Sequence, residues 1–108
     1  MKNLGGLGNI MKQAKRLQEE LERAQAEIAE MRIEATAGGG MVTATVTGKG
    51  ELVGLALERE IVDPEDIEML SDLITAAVQE AQRKAEAVSQ EKLGPLAQGF
   101  GLPGMPGM

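Results

Sequence analysis

The chain contains no cysteine, no histidine, no tryptophan and no tyrosine, and its single aromatic residue is Phe100. Each absence excludes a class of chemistry. Without Cys there is no disulfide framework and no thiol nucleophile, and without Cys or His there is no zinc-finger ligand set. The missing histidine also removes the commonest general base, so catalysis is disfavoured and no enzyme activity, cofactor, catalytic metal or small-molecule substrate is expected. No apolar run approaches the ~20 residues of a membrane span, and the N-terminus lacks an apolar signal core, so no membrane partner is expected and the cytoplasm is the expected compartment. Without Trp or Tyr to stack on bases, recognition of single-stranded nucleic acid is disfavoured as well.

What is present is a small, acidic, aliphatic chain of 108 residues with a formal net charge of −6. At that size a chain buries roughly 65% of its unfolded surface, and a core of Leu, Ile, Val, Ala and Met is thin for a monomer. A homodimer is therefore expected to supply the missing burial. The charge is unevenly spread. Residues 1–18 hold Lys2, Lys12, Lys15 and Arg16 with no acid, whereas residues 19–108 hold seven basic against seventeen acidic residues. The chain is electrostatically polarised along its length.

Periodicity divides the chain into elements. After a glycine-bearing lead, Lys2 to Gly8, with Asn9 as a candidate N-cap, the apolar positions Ile10, Ala14, Leu17, Leu21, Ala24, Ile28 and Met31 alternate by four and three. This is a coiled-coil-type seam, and no glycine or proline interrupts it between Asn9 and Arg32, so the helix spans about 36 Å at 1.5 Å per residue. The pattern then changes to period two: Ile33, Ala35 and Ala37, then Val42, Ala44 and Val46 between threonines, then Leu52 to Leu57 with Leu55 and Leu57 alternating with Gly54 and Ala56. Short turns at Gly38 to Gly40 and Gly48 to Gly50 join these strands, which makes an antiparallel meander. The Gly38 to Gly40 run is read as a hairpin turn and not a phosphate loop, because a strand follows it instead of a helix.

Asp63 as N-cap, Pro64 at the first helical position and Glu65, Asp66 and Glu68 in the first turn predict a second long helix. Its stripe runs through Ile67, Leu70, Leu73, Ile74, Ala77, Val78, Ala81, Ala85 and Val88 almost to Leu93, and Gly94 with Pro95 is the expected stop. The acidic cluster Asp63, Glu65, Asp66, Glu68 and Asp72 is assigned to the helix dipole and not to a metal. The fold class is thus α+β: long helix, three-stranded antiparallel β-meander, long helix. One α-β-β-β-α dimerising domain occupies residues 1–93, and a flexible, disordered Gly/Pro tail occupies 94–108.

At this point the residues resemble a known family. Gly8-Asn9-Ile10-Met11-Lys12-Gln13-Ala14, Gly38-Gly39-Gly40-Met41-Val42, Val62 to Leu70, Asp72 to Val78 and the ending Gly99 to Gly104 are similar to the YbaB/EbfC family of bacterial nucleoid-associated proteins. The resemblance covers essentially the whole chain, and Asp63 to Val78 is its most specific part. Leu57-Glu58-Arg59-Glu60 departs from the Ile-Asp-Pro-type sequence of many relatives, which bears on the loop into the second helix. The resemblance implies a tweezer-like homodimer with helical arms that binds double-stranded DNA with little strict sequence dependence and alters its conformation. It also implies roles in nucleoid organisation, gene expression and DNA protection.

Two helices of similar length flanking a meander are expected to pack antiparallel, seam to stripe. That arrangement would gather Lys12, Lys15 and Arg16 beside Arg83, Lys84 and Lys92 at the end of each arm, and with Arg23 these are the candidate DNA-binding residues. Simpler readings stand beside this one. Mixed charges in mid-helix are usually a solvated face, and Arg83, Lys84 and Lys92 compensate the second helix's dipole whatever else they do. The alternative from another class is a protein-interaction adaptor that uses the helical seam and the tail, whose Leu96, Phe100, Leu102, Met105 and Met108 could dock on a partner.

Overall fold

The computed structural model describes the backbone of residues 2–99 and the side chains of residues 6–97. The elements follow the expected order: α1 (Lys2–Glu30), β1 (Ile33–Ala37), β2 (Val42–Val46), β3 (Leu52–Leu57), a 3-10 turn (Arg59–Ile61) and α2 (Ile67–Gly99). The sheet is an antiparallel meander in the order β1-β2-β3. Ala35 pairs with Ala44 across β1 and β2, and Ala44 pairs with Leu55 across β2 and β3. A register shift between Thr45 and Val46 makes Val53 the extra residue of a bulge in β3.

The core is built from small side chains. Ala77, Ala81 and Ala85 recur every four residues on one face of α2 and are buried against Ala35, Val42, Ala44 and Val46. Alanine at those three positions lets the helix axis lie close to the sheet, and Ile33, Ala37, Ile61, Leu73, Ile74 and Val78 close the rim. α2 lies over β1 and β2 and reaches β3 little. The third strand is therefore largely uncovered: Leu55 and Leu57 share the helix-facing side of the sheet with Ala44 and Val42, yet remain 42% and 40% exposed. One helix is too narrow to roof three strands.

α1 leaves the body as an arm, in a molecule of 78 × 26 × 16 Å. Ile28 is its one fully buried side chain among the described residues. At its base the N–H of Gly48, in the β2–β3 turn, donates to the carbonyl of Ile28 at 2.9 Å. The buried Thr47 supports that turn, its Oγ1 accepting the N–H groups of Lys49 (3.1 Å) and Glu51 (3.3 Å). Arg32 folds back on the last turn of α1 and donates from Nη1 to the carbonyls of Glu30 (3.2 Å) and Met31 (3.1 Å), which would otherwise be orphaned at a helix C-terminus.

Helix boundaries move relative to expectation. α1 begins at Lys2 and not at Asn9, so the glycine lead is helical; Leu7, three residues before Ile10, carries the apolar seam one turn further. α2 begins at Ile67. Asp63 makes a turn instead, accepting the Glu65 N–H at 2.9 Å, and Asp66 caps the helix by accepting the Met69 N–H at 3.2 Å. At the other end α2 passes through Gly94 and Pro95 to Gly99. Pro95 removes one backbone bond, and it does so in the last turns of α2, where it and Leu96 border an open groove beside α1. Of the expected tail, Phe100, Leu102, Met105 and Met108 lie outside the described residues. Among the described residues no helix is long and apolar enough to cross a membrane.

Candidate nucleic-acid interface

The two helices run antiparallel, but the stagger between them distributes the basic residues differently from the expected cluster. Lys84 and Arg83 belong to the part of α2 that lies on the sheet, since Ala81 and Ala85 on either side are buried there. Lys84 Nζ donates to the carbonyl of Glu34 in β1 at 3.1 Å. Arg83 pairs with Glu80 one turn back, Nε to Oε2 at 3.4 Å. Lys92 stands about 12 Å further along the helix, at 1.5 Å per residue, where α2 leaves the sheet and meets α1. There its Nζ lies 3.2 Å from Glu27 Oε2. All three basic groups of α2 are thus engaged by neighbours, and none of them stands beside Lys12.

The basic residues of α1 are arranged otherwise. Lys12, Lys15, Arg16 and Arg23 are all exposed. Among the described residues, no ion pair is made by any of the four. At 100° per residue, Lys12, Arg16 and Arg23 fall within about 40° of one another around the helix, and Lys15 lies about 60° from Lys12, on the side away from the seam. Because no acid precedes Glu19, the terminal turns of the arm present positive charge alone. Arg23 sits further in, sharing a shallow groove with Glu20, Glu27 and Lys92. Its field is partly compensated there, whereas that of Lys12 and Lys15 is not.

The structure therefore brings together Lys12, Lys15 and Arg16 and places Arg23 in line with them. It sets Lys92 next to Arg23 but pairs it with an acid, and it leaves Arg83 and Lys84 over the sheet. The sequence carried a signal for this division, because the alanine spacing 77, 81, 85 marks the sheet-packed length of α2. Lys49, exposed at the tip of the Gly48-Lys49-Gly50 turn, is a further cation that helical periodicity overlooks. Among the described residues no group of three carboxylates is disposed to hold a metal ion. Asp63 and Asp66 each engage one carboxylate oxygen, Oδ1, in a turn or cap bond.

Comparison with known proteins gives the arrangement a context. The model of the YbaB/EbfC DNA-binding family matches residues 2–100. A nucleoid-associated protein of Streptomyces avermitilis is 52% identical over 99 residues, covering 92% of this chain and 88% of that protein. Another, from Rhodococcus opacus, is 48% identical over 104 residues, covering 94% and 92%. The crystal structure of an uncharacterized Helicobacter pylori protein superposes with a TM-score of 0.60 at 22% identity, over 72% of this chain and 90% of that one, and so shares the fold. With a family model matched over nearly its full length and relatives half identical, the chain belongs to the YbaB/EbfC DNA-binding family.

Proposed function

We propose that the protein binds double-stranded DNA as a homodimer, with little dependence on sequence, and that the grip is made by Lys12, Lys15 and Arg16 at the end of each α1 arm with Arg23 behind them. The observation that carries this reading is that no acid precedes Glu19 in an otherwise acidic molecule and that, among the described residues, none of these cations is held in an ion pair. Phosphate oxygens are satisfied by exposed cations on a helix surface, and such contacts position a protein without reading bases. The acidic body repels the duplex and leaves only the arms able to approach it. Spanning the duplex with two arms is what would bend or stiffen it. The family and its nucleoid-associated relatives support a place in the bacterial nucleoid; roles in its organisation, in gene expression and in DNA protection belong to the same proposal.

The uncovered strand supports the dimer. Leu52, Val53, Leu55 and Leu57 of β3, with Val62 and Ile67 on the way into α2, form an apolar surface that a single chain leaves in water. The opposite edge is less available, since Lys84 occupies a carbonyl of β1. Pairing two bodies through the β3 side covers the exposed leucines. Exposed Leu7, Ile10 and Met11 on the arm favour a second reading, the protein-interaction adaptor. Charge reversal of Lys12, Lys15 and Arg16 to Glu separates the two in a gel-shift titration with purified protein. The DNA reading expects binding to be lost while the dimer persists; unchanged binding would refute it.

A further inference from the structure

One acid of α1 is placed unlike the others. Glu19, Glu22, Glu27 and Glu30 are exposed, whereas Glu20 is half-buried, and no other charged side chain of α1 among the described residues is so. Two open grooves between α1 and α2 meet at it. The first is lined by Ile10, Arg16, Leu17 and Leu96 with Glu20, and the second by Arg23, Glu27, Lys92 and Leu96 with Glu20. Helical spacing sets Glu20 between two cations of the proposed grip. Arg16 lies about 6 Å before it along the axis and about 40° around the helix, and Arg23 about 4.5 Å after it and about 60° around. Among the described residues Glu20 makes an ion pair with neither.

Leu17 and Leu96 on the groove walls offer the carboxylate no partner, so its charge acts on whatever approaches Arg16 and Arg23. A negative charge within one turn of two phosphate-binding cations lowers the potential at both. Glu19 can swing into solvent, where salt screens it; half-burial holds Glu20 in place and screens it less. Lys12, Arg16 and Arg23 span about 16 Å of helix, and Glu20 weakens that row just past Arg16.

We propose that Glu20 sets the strength of the grip: it attenuates Arg16 and Arg23, so that each arm holds phosphates loosely enough to release them. The inference rests on the DNA reading and deepens it. Its test is fluorescence anisotropy of a labelled duplex titrated with full-length protein at several salt concentrations. Glu20→Gln is nearly isosteric, and circular dichroism and thermal midpoint should not change. Its affinity at low salt should rise roughly three-fold for each arm, hence about ten-fold for the dimer, and should converge on the wild type as salt screens the charge. Glu22→Gln makes the same change of charge about 160° away around the helix and should raise affinity by about two-fold at most. Glu20→Lys completes the row of cations and should steepen the slope of log affinity against log salt by about 2 per dimer. A role confined to packing would leave that slope unaltered. If wild-type binding falls with salt but Glu20→Gln binds no tighter than Glu22→Gln, or Glu20→Lys keeps the wild-type slope, the inference is overturned and the DNA reading stands. A wild type indifferent to salt overturns both.

Discussion

The carbonyl of Ile28 and the amide of Gly48 meet at 2.9 Å where the arm joins the body, and the contact leaves no room for a side chain. A Cβ built on Gly48 collides with the Ile28 carbonyl oxygen and lies 2.6 Å from Ile28 Cγ2. The backbone of Gly48 is not in the left-handed region, so the requirement for glycine here is one of close approach alone. Gly48→Ala should lower the unfolding free energy by about 1–3 kcal/mol through overpacking, read as an earlier midpoint in urea. An unchanged midpoint would mean that the α1 terminus rides free of the turn.

The β3 surface makes a prediction about assembly. Leu55→Asp with Leu57→Asp alters side chains that are already 42% and 40% exposed in one chain, so each chain should keep its helical circular dichroism. Sedimentation equilibrium should nevertheless report a mass near 11.4 kDa where the wild type gives about twice that. Persistence of the wild-type mass would place the interface elsewhere.

The ion pair between Lys92 and Glu27 predicts a gain of function. Both side chains are partly exposed, 37% and 54%, so the pair contributes less than about 1 kcal/mol to stability. Glu27→Gln releases Lys92 next to Arg23 and removes a negative charge from the side of the arm that carries Arg16 and Arg23. Affinity for duplex DNA at low salt should rise a few-fold with little change in thermal midpoint. Lys84→Ala, by contrast, should leave affinity unaltered, because its ammonium is committed to the Glu34 carbonyl over the sheet. The reverse result, Lys84 mattering and Glu27 not, would move the interface to the body.

Much of this was legible in the residues. The change from a four-three spacing to period two at Ile33, the glycine turns and the return to helical spacing after Asp63 define the element order, because each pattern reflects which side chains can reach one face. What was not legible depends on tertiary placement. The alternation of Leu55 and Leu57 predicts a buried face, but whether a helix covers it depends on where α2 lies, and α2 is centred on β1 and β2 through its alanines. Pro95 reads as a stop because it removes a hydrogen bond, yet α2 continues through it to Gly99. Likewise the composition identifies four cations at the start of the chain, whereas only the tertiary placement separates Arg83 and Lys92, paired with acids, and Lys84, held at a backbone carbonyl over the sheet, from Lys12, Lys15 and Arg16, which make no ion pair among the described residues.

The central claim is that a cluster of uncompensated cations on each arm holds DNA by its phosphates, and salt dependence tests it most directly. With Lys12, Lys15, Arg16 and Arg23 engaged to differing extents on both arms, roughly six to eight phosphates are neutralised per dimer. A plot of log affinity against log salt concentration should then fall with a slope of about −5 to −7 on unrelated duplexes alike. A flat response, or a slope that survives reversal of Lys12, Lys15 and Arg16 to Glu, would contradict the account.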